Sequence, residues 1–363
     1  MASALVSQFG KKVVYVNVTL EAKETSSMKV GYFPCTQDPP NGVNIGRVLN
    51  EAMVEAQVAE ESGFDSCLFS EHHQQDDGYA PNVILMAGMA GMKTSKLRVG
   101  TCVTLLPLWH PVHAAEDAAI VDQITGGRMI LSVGVGYQDV DFGAFGLSVK
   151  DRVGRTEEGL EVLKKCWAGE RFSHHGKFYD LDNVNITPKP MQQPRPPIWM
   201  AAWTDIGLRR VARIADAWIT SPLEHINTMK RFAELYRSAA LKHGKKPMLV
   251  LMRDVLVADS MEAARRESEP LMYTHRFYFR NNGYASDEVV DRVKSEEGWT
   301  FDVAAPNRFI AGSPADCLAQ LRMWQDVVAP DYLVLRMRHP GGPSHERVKA
   351  AIRTFGKEVL PHL

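Results

Sequence analysis

Polar residues capable of chemistry follow several short apolar runs of this sequence, and the first such group is Glu71-His72-His73. A histidine near a reacting centre can act as a general base or as a hydrogen-bond donor near neutral pH, and we assign this role to His72. The group could also hold a loop or bind a metal. Adjacent residues of a strand point to opposite faces, so only one histidine would face inward and no metal pair is expected.

Three further polar groups follow later apolar runs. Taken alone, each such residue is best explained by capping or packing. Because these groups recur at the same end of consecutive predicted strands, together they favour one shared site. The groups are Thr101-Cys102-Val103-Thr104, then Gly134-Val135-Gly136-Tyr137 followed by Asp139 and Asp141, and finally Ala202-Trp203-Thr204-Asp205.

Thr204-Asp205 stands where a helix is predicted to begin, and it allows two interpretations. A threonine in this position commonly caps the helix by accepting a hydrogen bond from a backbone amide. The free amides and the dipole of a helix N-terminus can also bind a phosphate. Both interpretations remain open from the sequence.

Several familiar catalytic and binding motifs are missing from the sequence. Gly134-Val135-Gly136 lacks the third glycine of a dinucleotide fingerprint, and neither a P-loop nor a G-x-S-x-G motif occurs. The 5 cysteines are widely spaced and form no C-x-x-C pair. We therefore expect neither a disulfide framework nor a metal site. Unpaired cysteines also suit a reducing compartment, so we expect the protein in the cytoplasm.

The charge balance gives no reason to expect a nucleic-acid or membrane partner. Lys plus Arg is 42 and Asp plus Glu is 43, which gives a formal net charge of −1. No apolar run is long enough to span a bilayer, and the N-terminus lacks the pattern of a secretion signal. Residues 1–27 are predicted to be an N-terminal extension, and residues 28–363 to form one domain.

The elements that must position these groups alternate along the chain. Short runs that are apolar throughout predict parallel strands covered on both faces, and amphipathic helical segments separate them. The predicted strands are residues 28–33, 66–71, 97–106, 129–136, 197–202, 217–220, 248–258 and 331–338. Eight such units favour an α/β fold of the (β/α)8 TIM-barrel type, whose active site lies at the carboxyl ends of the strands.

Two long segments interrupt the predicted barrel, one after strand 4 and one after strand 7. Residues 171–196 indicate a short hairpin. Residues 259–312 are rich in charged and aromatic residues, and within them residues 265–310 are expected to form a mobile lid over the site.

At these groups the chain resembles the bacterial luciferase-like flavin-dependent monooxygenases. Residues 69–146 carry the E-H-H, V-G-T, H-P-V, A-E-D and D-Q-x-x-x-G-R motifs in the order of that family. Residues 196–219, PPIWMAAWTDIGLRRVARIADAWI, are similar to the phosphate-binding segment of the family. The order and spacing of these motifs match over most of residues 28–355.

The resemblance implies a flavin lying across the mouth of the barrel. His72 matches the catalytic histidine of the family. Cys102-Val103 matches a position that often carries a non-proline cis peptide beneath the flavin ring. The implied cofactor contacts are Cys102, Val103, Val135, Gly136, Tyr137, Asp141, Trp203 and Thr204.

The resemblance further implies a two-component monooxygenase. Reduced FMN would be supplied by a separate flavin reductase, and a flavin peroxide adduct formed with O2 would oxidise a small organic substrate. Tyr32, Phe33, Leu106, Trp109 and Trp203 are expected to form an apolar mouth that suits a weakly polar substrate. A homo-oligomer, dimer or tetramer, is also implied.

Alternatives remain open at this point. Val135 occupies the place of an arginine that helps bind the phosphate in bacterial luciferase, which leaves the choice between FMN and a deazaflavin open. A deazaflavin-dependent dehydrogenase or reductase would transfer hydride on the same barrel. A non-catalytic flavin-binding relative is a further alternative, which His72 disfavours. A metal-dependent barrel hydrolase fits poorly, because the first strand lacks inward metal ligands.

Overall fold

The structure is a computed structural model that describes residues 28–281 and 283–363. The predicted N-terminal extension, residues 1–27, lies outside the described residues. No helix in the described ranges is long and apolar enough to cross a membrane.

Eight parallel strands close into a barrel, which confirms the predicted TIM-barrel fold. The strands of the described chain are β1 (Lys29–Phe33), β2 (Ser66–Phe69), β3 (Arg98–Thr101), β4 (Thr104–Leu105), β5 (Met129–Gly134), β6 (Phe172–His175), β7 (Asp180–Val184), β8 (Ile198–Ala201), β9 (Ala217–Ile219), β10 (Leu249–Val257), β11 (Ile310–Gly312) and β12 (Tyr332–Arg336). The barrel strands follow the order β1-β2-β3-β5-β8-β9-β10-β12, and β12 pairs back onto β1.

Helices pack around the outside of the barrel and connect its strands. They are α1 (Ile45–Glu61), α2 (Val83–Lys93), α3 (Pro111–Ile124), α4 (Asp139–Ala144), α5 (Arg152–Trp167), α6 (Asp205–Ile214), α7 (Ile226–Lys242), α8 (Met261–Glu267), α9 (Glu269–Arg280), α10 (Phe301–Ala304), α11 (Pro314–Val328) and α12 (His345–Glu358).

Both faces of the barrel strands are largely buried, which explains why their sequences are mostly apolar. Inward side chains such as Leu68, Ile130 and Val334 form a core within the barrel. In its centre Trp199 and Tyr332 meet edge to face, with their ring centroids 5.2 Å apart. Outward side chains form a larger core with the surrounding helices.

The two predicted insertions follow the fourth and seventh barrel strands, β5 and β10. Strands β6 and β7 form the expected antiparallel hairpin. After β10 the chain forms α8, α9 and α10 and returns through β11, which pairs with the far end of β10. This second insertion has an apolar cluster of its own that includes Leu271, Trp299 and Phe309.

The predicted third strand, residues 97–106, is divided into β3 and β4. The peptide between Cys102 and Val103 is cis, as the resemblance implies, and it lies in this interruption. Strand β4 then pairs with the end of β5. Cys102 and Val103 therefore lie at the carboxyl end of β3, where a barrel of this type has its active site.

Gly100 allows β3 to approach β5 closely. A Cβ atom at this position would lie 2.0 Å from the carbonyl oxygen of Ile130, the residue that faces it across the two strands. This contact gives the glycine of the V-G-T motif a steric reason.

We predict that Gly100→Ala lowers the free energy of unfolding by about 3 kcal/mol or more, because the clash is with backbone that cannot move aside. Gly46→Ala is the matched control. Gly46 is exposed in α1 and has no atom within 4 Å of an added Cβ, so alanine should stabilise the helix by about 0.5–1 kcal/mol. Urea denaturation measures both changes, and equal effects of the two substitutions would contradict the prediction.

Candidate active site

His72 lies in the loop after β2, half-buried among residues from several segments of the chain. Its Nδ1 is 3.0 Å from Nε2 of Gln138 and 3.9 Å from Oδ2 of Asp141. Its ring centroid is 4.7 Å from that of Tyr79 and 6.2 Å from that of Tyr137, which meets it edge to face. The structure therefore brings together three of the predicted site residues: His72, Tyr137 and Asp141.

Burial lowers the pKa of His72 from 6.5 to about 4, and the neighbouring His73 contributes in the same direction. The imidazole is consequently neutral at pH 7. A neutral histidine carries one N–H donor and one acceptor nitrogen, so its chemistry depends on which nitrogen holds the proton.

His73 has a structural role. Strand β2 ends at Phe69, so the prediction that the two histidines lie on a strand and face opposite sides was wrong. They belong to a loop, and each is held by its own contacts. The ring of His73 lies 2.9 Å from Oε1 of Glu71 through Nε2, and its backbone N–H donates to Oδ1 of Asp141 at 3.3 Å.

The buried Glu71 holds the loop that carries His72 and His73 in place. It is 1% exposed, and the indole N–H of Trp109 donates to it at 3.0 Å. Burial raises the pKa of Glu71, although the hydrogen bonds from His73 and Trp109 oppose that shift. Trp109 is therefore tied to the loop base by a polar contact.

Two other residues predicted for an apolar mouth lie elsewhere. Tyr32 is fully buried and donates a hydrogen bond of 2.6 Å to Glu55 of α1, so it faces the helices and does not line the mouth. Leu106 is also fully buried and packs near Gly159 of α5. An apolar side chain beside a strand end can face either layer, which the sequence pattern does not distinguish.

The chain at the start of β4 packs closely against the end of β5, at the same end of the barrel as His72. A Cβ atom at Gly134 would lie 2.6 Å from Cγ2 of Val103, so the glycine makes room for that side chain. Gly136 has a φ of 70°, and a Cβ atom added there would lie similarly close to the Phe142 ring. The backbone around Val135 therefore turns tightly at the end of β5.

Aromatic side chains extend this packing towards β8. Tyr137 and Trp203 meet edge to face with their ring centroids 6.1 Å apart, and both remain well exposed, at 49% and 42%. Burial raises the pKa of the Tyr137 phenol above its usual range, and the nearby Tyr278 and Asp141 add to the shift. These contacts connect Trp203 to the group around His72.

Thr204 caps α6: its side chain accepts a hydrogen bond of 3.1 Å from the backbone N–H of Gly207. The backbone amides of Asp205 and Ile206 donate to no acceptor in the described part of the chain. A helix N-terminus with free amides is suited to a phosphate, so capping and phosphate binding are compatible here. The guanidinium of Arg231 lies 2.9 Å from the Asp205 carboxylate beside these amides.

A buried ion pair joins β10 to the carboxyl end of β12, at residues that face each other across the two strands. The Arg336 guanidinium donates to both carboxylate oxygens of Asp254, at 2.5 Å and 2.9 Å. His275 of α9 contacts Asp254 at 2.6 Å, which ties the predicted lid segment to the barrel. Burial alone would raise the pKa of Asp254, but Arg336 and the hydrogen bond from His275 hold it well below its usual range.

Arg336 also contributes to the site itself. Its guanidinium carbon lies 6.0 Å from the centre of the Phe33 ring, and its charge opposes the rise in the pKa of Cys102 that burial causes. The predicted cofactor contact Cys102 and the predicted mouth residue Phe33 thus share one charged neighbour.

Sequence reasoning missed Gln138, Tyr79, Asp254 and Arg336. For the last two a signal exists, because charged residues interrupt the apolar runs MLVLMRDVLVA and DYLVLRMR. A charge within a strand that is buried on both faces requires a buried partner. For Gln138 and Tyr79 no local pattern separates them from ordinary loop residues.

Comparisons with known proteins find relatives over most of this chain. The family model described as luciferase-like monooxygenase matches residues 28–329. The oxygenase component of flavin-dependent trigonelline monooxygenase from Acinetobacter baylyi is 25% identical over 336 residues, covering 86% of this chain and 89% of that protein.

Relatives with a different cofactor also match. An F420-dependent glucose-6-phosphate dehydrogenase from Nakamurella multipartita is 25% identical over 321 residues, covering 85% of this chain and 91% of that protein.

Among solved structures, the oxygenating constituent of 3,6-diketocamphane monooxygenase from Pseudomonas putida, in complex with FMN, superposes with a TM-score of 0.79 at 20% identity. That superposition covers 93% of this chain and 99% of the other, and it shows the same fold.

We predict that Arg336→Met lowers the free energy of unfolding by about 3–5 kcal/mol, because it leaves the buried Asp254 charge without its main partner. Combining it with Asp254→Asn should recover part of the loss. Arg231→Met is the matched control: it breaks an ion pair whose side chains are 58% and 51% exposed and should cost less than about 1 kcal/mol. Urea denaturation at pH 7 measures all three, and a loss below about 1 kcal/mol for Arg336→Met would contradict the prediction.

Proposed function

The chain belongs to the luciferase-like monooxygenase family and is a flavin-dependent oxidoreductase, and from this premise we propose that it is the oxygenase of a two-component monooxygenase. It would receive reduced FMN from a separate reductase and use O2 to oxidise a small, weakly polar organic substrate. The observation that carries the proposal is the neutral, half-buried His72 in contact with Tyr137, which packs against Trp203, at the same end of the barrel as the Cys102–Val103 cis peptide.

The residues at the mouth suit a flavin phosphate and ring. The free amides of Asp205 and Ile206 and the positive charge of Arg231 would hold the phosphate, with Thr204 fixing the start of α6. Arg231 pairs with the Asp205 carboxylate through one nitrogen, so it would reach the phosphate with its remaining N–H donors and in part replace the cation that Val135 does not supply. Cys102, Val103, Gly136 and Tyr137 would contact the ring, and the backbone amide of Trp203 would contact the phosphate.

When bound in its reduced form, the flavin supplies the activation of O2, and the protein supplies orientation and electrostatics. His72 would donate a hydrogen bond or move a proton at the mouth, where Tyr79 and Tyr137 limit the access of water to it. Asp141 would hold the loop through the backbone N–H of His73. Residues 265–310 would cover the substrate, and their motion remains a prediction.

The relatives support both the proposal and one alternative. Trigonelline monooxygenase is named as an oxygenase component, which favours a separate reductase, and the diketocamphane enzyme was solved with FMN. The F420-dependent relative favours hydride transfer to or from a deazaflavin on the same barrel. We also propose the cytoplasm as the compartment, because all 5 cysteines are buried free thiols.

An apolar groove on the outer helices supports the proposed homo-oligomer. It lies between α1, α2 and α3. Its exposed apolar residues are Val54, Leu85, Met89, Met92, Ile120 and Ile124. Lys93 and Asp117 also line it, so two copies related by a two-fold axis would bring opposite charges into a shared interface.

We predict that the protein, stripped of cofactor and titrated without oxygen, binds reduced FMN, and that mixing with O2 produces a near-ultraviolet absorbance that decays slowly. His72→Ala should shorten the life of that absorbance by about 10-fold or more. His175→Ala, which changes an exposed histidine of the hairpin, is the matched control and should behave as the parent.

The alternatives give different results in the same experiment. Tight binding of a reduced deazaflavin without binding of FMN, and no requirement for O2, would replace the proposal with hydride transfer. Binding of either cofactor without any turnover would indicate a non-catalytic flavin-binding protein.

We predict that the protein is a dimer or tetramer, and that replacing Leu85 and Met92 together by glutamate converts it to monomers, because four like charges would face one another in the groove. Leu241→Glu is the control, since Leu241 is equally exposed but lies on α7. Light scattering after size-exclusion chromatography measures the mass. A monomeric parent, or an unchanged mass in the double variant, would contradict the assignment of this surface.

A further inference from the structure

The two ring nitrogens of His72 have different surroundings. Nδ1 is in contact with Gln138 and lies near Asp141. Nε2 has no hydrogen-bond partner in the described structure, and it is not fully buried. Nε2 is therefore the nitrogen that remains accessible to a molecule at the mouth of the barrel.

We propose that Gln138 is a positioning residue that fixes the tautomer of His72, so that the neutral imidazole presents Nε2–H as a hydrogen-bond donor to the reacting molecules. This inference deepens the proposed function and rests on it for its catalytic consequence. The tautomer itself belongs to the protein without its cofactor.

Gln138 is well placed for this task. It lies directly before α4, two residues after Gly136, and its side-chain nitrogen Nε2 is 3.0 Å from Nδ1 of His72. In this orientation of the amide its nitrogen donates, so Nδ1 accepts and the single proton of the neutral ring resides on Nε2. The same amide nitrogen lies 3.5 Å from the phenol oxygen of Tyr137, which offers its second N–H an acceptor.

Asp141 explains why a positioning residue is needed. Its Oδ2 lies 3.9 Å from Nδ1, too far for a hydrogen bond but close enough for its negative charge to attract a proton to that nitrogen. Its other oxygen is occupied by the backbone N–H of His73. Gln138 therefore opposes the tautomer that Asp141 alone would favour.

The remaining neighbours of His72 do not compete for Nδ1. Tyr79 stacks obliquely on the ring, and Tyr137 meets it edge to face. His73 directs its Nε2 to Glu71. Asp141 and Gln138 are thus the two groups whose balance sets the position of the proton.

The fixed tautomer selects one chemical role. A neutral imidazole with its proton on Nε2 cannot remove a proton through that nitrogen, so His72 would not be a general base towards the mouth. It can donate a hydrogen bond to an oxygen atom that gains negative charge during the reaction, which stabilises that charge without a charged residue. The sequence alone left both roles open.

Nitrogen-15 NMR of the protein without cofactor, labelled on histidine, tests the tautomer directly at pH 7.5. The signal of His72 is assigned by its loss in His72→Asn. We expect the pattern of a protonated Nε2 and an unprotonated Nδ1. A proton on Nδ1, or an even mixture of the two forms, would overturn the proposal.

Two substitutions at position 138 test whether Gln138 fixes the tautomer of His72. Gln138→Glu places a carboxylate where it can accept from Nδ1–H, and together with Asp141 it should move the proton to Nδ1 and raise the pKa of His72. Gln138→Met removes the amide and should move the balance towards Nδ1–H. Gln75→Met is the matched control, because Gln75 donates to the backbone oxygen of His73 at 2.9 Å and does not contact the His72 ring.

The effect on turnover separates this proposal from the proposed function. With reduced FMN and an accepted substrate, Gln138→Glu should lower kcat by about 10- to 1000-fold with little change in KM, and Gln75→Met should leave both unchanged. An unchanged tautomer and kcat in both variants at position 138 would refute the positioning role. If the parent uses no O2, the proposed function fails, while the NMR result still decides the tautomer.

Discussion

The pairing of β12 with β1 closes the sheet, and the position of every group in the site depends on that closure. Because all eight strands are parallel, closure gathers their carboxyl ends into one ring. Loops that are far apart in sequence then face one another across a short distance. His72 and Gln138 are separated by 66 residues, yet their side chains are in contact.

Close contacts between strands fix this ring with little freedom. Gly100 and Gly134 have no side chain where the carbonyl of Ile130 and the side chain of Val103 must fit. The ion pair between Asp254 and Arg336 joins two neighbouring strands at the same level, and His275 connects it to α9. Desolvation makes a buried pair a weak source of stability, but removing one partner is costly, which gives the pair value as a constraint on geometry.

The site combines a rigid base with an open, aromatic rim. Glu71 and Trp109 hold the base of the His72 loop, whereas Tyr137 and Trp203 remain exposed above it. Such an arrangement suits a large planar cofactor that carries the reactive chemistry while the protein contributes one oriented donor. The neutral state of His72 follows mainly from burial. The loop after β2, which buries the imidazole, therefore also sets its protonation state.

The sequence by itself determined the barrel, both insertions and the family, because these depend on apolar periodicity and on motifs whose order survives in the linear chain. It also predicted His72, Tyr137, Asp141 and Trp203 as site residues, since each follows a predicted strand, and the structure brings these four side chains near one another. It could not place Tyr32, because an apolar residue of a strand buried on both faces can point to either layer, and it misplaced the His72-His73 pair, because β2 ends at Phe69. Only the tertiary structure decided that Gln138 contacts His72 and that Arg336 pairs with Asp254, because contacts between separate loops arise from closure of the barrel and leave no local pattern.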